Sequence, residues 1–115
     1  MKYDLEERTA KFAESVIAFT KCLTLSPINS RLISQVVGSS GSIAANYCEA
    51  VEGESKKDFV HKIGIAKKEI KETKLWLRLL AKAHPEKSEE LKGIWKEAQE
   101  LLLIFSKIVS TSRGN

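Results

Sequence analysis

The chain has 115 residues, 43% hydrophobic and 30% charged, with two Pro and six Gly, which suits one domain over 1–115 around one core and argues against disorder or a fibrous repeat. A net charge of +4 (pI about 9.1) does not by itself mark a nucleic-acid binder, so its placement along the chain matters. No run of about 18 apolar residues exists, and Met-Lys-Tyr-Asp-Leu-Glu-Glu-Arg at the start lacks the apolar core of a signal peptide, so a cytoplasmic protein without membrane contact is expected.

Apolar spacing predicts four helices, over about 4–25, 30–52, 55–83 and 86–110, and no strand. In the first, Leu5, Thr9, Phe12, Val16, Phe19 and Leu23 step by four and three, a stripe that faces one way on a helix. Ser26-Pro27 ends it, because proline disfavours a helical residue before it. The two cysteines, Cys22 and Cys48, fall in helical surroundings and are too few for a disulfide framework; buried free thiols are expected.

The second helix carries small and polar residues where large apolar ones are usual. Gln35, Ser39, Ser42, Asn46 and Glu49 share one narrow stripe, flanked by Leu32, Val36, Ile43 and Ala50. A polar packing stripe of this kind suits close helix approach and register control, with mid-helix Asn46 the most unusual choice. Gly38 and Gly41 each cost a helix about 1 kcal/mol relative to Ala, yet the periodicity continues through both, and Gly53 is a natural stop.

The third helix begins at a capping pair, Ser55 and Asp58. Phe59, Ile63, Ala66, Ile70, Thr73, Leu77 and Leu80 form its core stripe. Ile65, Trp76 and Leu79 form a second apolar edge, more than a monomeric bundle needs, so this edge is expected to be an oligomer interface. Residues 55–83 also hold nine of the 19 basic side chains and only three of the 15 acidic ones. Lys67, Lys71, Lys74 and Arg78 lie on one side and make a candidate track for nucleic-acid phosphates; the plainer reading is a solvated helix flank. No aromatic residue interleaves with them on that side, so a stacking platform is not expected.

The fourth helix starts at Pro85 or Ser88, with Glu86, Glu89 and Glu90 suiting its positive end. Leu91, Trp95, Ala98, Leu102, Phe105 and Val109 form its expected core stripe, and the last six residues are expected to fray. Four long helices with short links predict an all-α, antiparallel up-and-down four-helix bundle that oligomerises through helix faces.

No enzyme chemistry is indicated. Gly38-Ser-Ser-Gly41 lacks the Lys-Ser/Thr of a phosphate loop, and neither a His-Glu-x-x-His nor a Cys-x-x-Cys pattern occurs, so no cofactor or metal is expected. A serine nucleophile elbow is also missing.

Two blocks carry a family likeness. Gln35-x-x-x-Ser-x-x-Ser-Ile-x-Ala-Asn-Tyr-x-Glu-Ala50 is followed by Ser55-Lys-x-Asp-Phe59-x-His-Lys-Ile63 and then Ile65-Ala-x-Lys-Glu69-x-x-Glu-Thr-x-x-Trp-Leu77. The chain resembles, over about 5–110 and most specifically over 35–80, the bacterial four-helix-bundle family encoded by intervening sequences in 23S ribosomal RNA genes. The resemblance implies a homo-oligomer, typically a pentameric ring, with no established enzyme activity and a suspected role in binding RNA or DNA. A similar pentameric bundle serves reverse transcriptases of diversity-generating retroelements, a likeness of architecture only. The resemblance carries Ser39, Ser42, Asn46 and Glu49, then Asp58, Phe59, Lys68, Glu69, Glu72, Thr73 and Trp76, onto the family pattern. The chain departs at Gly38, Cys48 and Glu52, where many members have arginine, which weakens helix two as a phosphate contact. The alternative to nucleic-acid binding is a protein-interaction scaffold or accessory subunit.

Overall fold

The structure, a computed structural model, describes residues 4–113. Four helices follow one another: α1 (Leu5–Lys21), α2 (Asn29–Glu52), α3 (Lys56–Ala83) and α4 (Ser88–Ser112), with a single 3₁₀ turn, Pro85–Lys87, before α4. No strand occurs among the described residues, and the protein is all-α. Gly114 and Asn115, the end of the expected frayed tail, lie outside those residues; the rest of that tail is helical to Ser112.

Each helix packs on its neighbours in sequence, α2 and α3 most extensively, and α1 meets α4 more sparsely to close the bundle. The result is a rod of 45 × 21 × 20 Å. The predicted stripes of α1 and α3 are its core: Leu5, Phe12, Val16 and Phe19 from α1 meet Val36, Ile43 and Ala50 from α2. Ile63, Ala66, Ile70, Leu77 and Leu80 from α3, with Leu91, Ala98, Leu101, Phe105 and Val109 from α4, complete it. Tyr47 lays its ring 5.8 Å from that of Phe105, joining α2 to α4 across the interior.

Several expectations need correction. α1 ends at Lys21 rather than Leu25, because the Cys22 and Leu23 amides bond back to the Phe19 and Thr20 carbonyls and tighten the last turn. Leu23 still packs on the core, from the loop. The C-terminal position leaves Cys22 exposed, and Cys48 is only partly buried, so neither is an enclosed thiol. In α4 the core position is Leu101, with Leu102 partly buried, and Trp95 is 37% exposed. At about 100° per residue Trp95 lies roughly 40° round from Leu91, enough to move it from the core line to the rim. Gly38 and Gly41 are helical, but a Cβ at either would meet nothing within 4 Å, so no backbone within this chain approaches them.

Helix ends follow local chemistry. Asp4 caps α1 by accepting from the Glu7 amide, and Ser55 caps α3 by accepting from the Asp58 amide at 3.0 Å. Asn29 and Ser26 cap each other: Ser26 N–H donates to Asn29 Oδ1 and Asn29 N–H donates to Ser26 Oγ.

Candidate nucleic-acid interface

The α2–α3 seam fixes how α3 presents its outer face. Thr73 Oγ1 donates to the Glu69 carbonyl and shares a 2.7 Å hydrogen bond with Ser39 Oγ, a buried polar rung between the two helices. Lys62 Nζ pairs with Glu49 at 2.7 Å nearer the other end of the seam. The polar stripe of α2 therefore divides. Ser39 and Glu49 reach α3, whereas Asn46 Nδ2 donates to the Ser42 carbonyl of its own helix. Gln35 and Ser42 are half-buried beside them.

With α3 held in this register, its basic side lies along the α4 flank. Lys71 and Arg78 are exposed and Lys67 half-buried. Among the described residues none of the three forms an ion pair; the ion pairs are Arg8 with Glu97 and Glu100, Lys62 with Glu49, and Lys87 with Glu90, and His84 Nδ1 lies 3.3 Å from Glu86. Lys74 differs. Its ammonium bonds Gln99 Oε1 of α4 and stands 4.5 Å from the centroid of the Trp95 ring. It is thus committed to the α3–α4 seam. A surface cleft of about 280 Å³ opens beside it, lined by Leu77, Arg78 and Ala81 of α3 and by Ser88, Leu91, Lys92 and Trp95 of α4. At the far end of the same helix Lys56, Lys57, His61 and Arg113 border a wider opening of about 670 Å³. Cations therefore run the length of α3, about 40 Å at ~1.5 Å per residue.

The second apolar edge is not uniform. Trp76 packs against the core of its own chain, and its indole N–H is enclosed without an acceptor among the described residues. Ile65 is half-buried, and Leu79 is 37% exposed beside Leu75 at 47%. Among the described residues no group of three or more His, Cys, Asp or Glu could hold a metal ion, and no helix is long and apolar enough to cross a membrane.

The family description "23S rRNA-intervening sequence protein" matches residues 1–107. The chain belongs to this family. An intervening-sequence protein so assigned shares its fold with a solved structure, a protein of unknown function from the S23 ribosomal protein family of Bacteroides thetaiotaomicron VPI-5482. That structure superposes with a TM-score of 0.79 at 29% identity, covering 90% of this chain and 96% of the other. No curated protein matches. Membership in the intervening-sequence family thus supplies a fold, and nothing in it or in the relative indicates an enzyme.

Two features of this intervening-sequence protein escape a helix-by-helix reading. Trp95 places an aromatic ring beside Lys74 on the basic side of α3, and it does so from α4. Asn29, 1% exposed, joins two loops by donating from Nδ2 to the Thr24 carbonyl and to His84 Nε2 at 3.0 Å. The donor at Asn29 makes Nε2 the acceptor, which leaves His84 Nδ1–H to face Glu86 at 3.3 Å. The only sequence signal for this was Ser-Pro-x-Asn before a helix.

Proposed function

We propose that this protein is a cytoplasmic, non-enzymatic binding protein that assembles as a homo-oligomer, the pentamer of the family resemblance, and grips nucleic-acid backbone along α3. The observation that supports it is a row of cations that form no ion pair among the described residues: Lys67, Lys71 and Arg78 on one face of α3. Cations so arrayed release counterions from phosphates without reading sequence. Lys74 supports the track by holding α4 beside it.

Affinity for RNA and DNA measured against salt tests this. Binding at about 50 mM salt should fall steeply as salt rises, and Lys71→Gln should lower the salt slope by about 1. No binding at about 50 mM salt refutes it. Exposed Leu75 and Leu79 favour a second reading, a scaffold that docks a protein partner on α3. Capture from a native lysate that survives nuclease treatment would select that reading.

A further inference from the structure

We infer that the cleft between α3 and α4 at Trp95 is a seat for an unpaired nucleobase, so that the nucleic acid bound is single-stranded; the inference rests on the nucleic-acid reading above. Trp95, a large aromatic ring at 37% exposure, stands outside the buried core of this chain. Its orientation is fixed: the Lys74 ammonium lies over the ring, and Gln99 anchors that ammonium in turn. A ring fixed in advance offers a stacking surface at low ordering cost, and every base has a face that can use it. The cleft beside it has the chemistry of one nucleotide. Arg78 projects from one wall and Lys92 from the other, neither with an ion-pair partner among the described residues, and no carboxylate lines it. Ser88 adds a hydroxyl, and Leu77 adds apolar floor. A base stacked on Trp95 places its flanking phosphates toward Arg78 and Lys92. A duplex keeps its bases stacked inside and offers the same cleft only phosphates.

The experiment compares a labelled 12-nucleotide oligo(dT) with a 12-base-pair duplex at about 50 mM salt, by fluorescence anisotropy. Trp95→Leu should weaken oligo(dT) binding about 10-fold, Trp95→Phe should restore most of it, and duplex affinity should stay unchanged. In Trp76→Phe protein, whose only indole is Trp95, emission should be quenched on saturation with oligo(dT). Equal affinity of Trp95→Leu and wild type for oligo(dT) overturns the base seat and leaves a backbone-gripping protein. Absence of binding to either probe by wild type overturns both. Should Trp95→Leu fail to fold, the emission of Trp76→Phe decides: no quenching on saturation overturns the base seat.

Discussion

Asn29 has each polar atom of its side chain in use. Oδ1 accepts from Ser26, and the two Nδ2 hydrogens go to Thr24 and His84. Asn29→Ala leaves the Thr24 carbonyl and the His84 ring short of a partner each, at a cost of about 1–3 kcal/mol; urea unfolding followed by circular dichroism measures it. A loss under about 0.5 kcal/mol would show that water replaces the side chain. Glu69 makes a different case. Burial, then the neighbouring Glu72 charge, raises its carboxyl above the ordinary carboxylate range, and Lys68 offsets part of this. A carboxyl that holds its proton more tightly when folded favours the fold at low pH and disfavours it as pH rises through the raised value. Glu69→Gln should therefore raise the melting temperature at about pH 7 and leave it nearly unchanged at about pH 4. Equal shifts at both would mean that the side chain acts through packing. At this scale the sequence is least legible. Nothing local separates a loop Asn that caps one helix from one that also holds a histidine 55 residues away.

Elements were far more legible, since their cause is local. Stripes stepping by four and three placed the core faces of α1 and α3, and the Ser55 cap placed the start of α3. The errors came where two causes compete. Leu23 continues the α1 stripe and reaches the core, yet the Ser26–Asn29 pairing claims the chain for a loop first. Trp95 fits a heptad count and fails a true 3.6-residue count. The basic side of α3 was readable from composition, but the aromatic beside it was not, because it comes from another helix. Gly38 and Gly41 yield an element-scale prediction. Each lies in mid-helix with open space where a Cβ would go. Gly38→Ala and Gly41→Ala should each stabilise the isolated chain by about 0.5–1 kcal/mol, read by denaturant midpoints. Destabilisation instead would reveal a neighbouring chain packed on that face.

For the whole molecule, the question is which face another copy would cover. Trp76 is committed to its own core, so Trp76→Glu would damage fold and assembly together. Leu79 is exposed and its neighbour Leu75 more so, which makes Leu79→Glu the cleaner variant. It should lower the mass measured by light scattering while keeping helix content; an unchanged mass would rule out this edge as the contact. The bundle also has unlike ends. The Asn29–His84 contact ties both loops at one end into a single knot. The opposite end has the short Gly53–Ser55 link and the outer ends of α1 and α4, which pack on each other more sparsely than helices adjacent in sequence do and are joined by Arg8 with Glu97 and Glu100. Opening should then travel from that end like an unzipped seam. Amide exchange would be quickest in the first turn of α1 and the last turn of α4, and slowest toward the knotted loops. The wider basic opening at Arg113 would flex with each such excursion, while Trp95, nearer the knot, stays fixed.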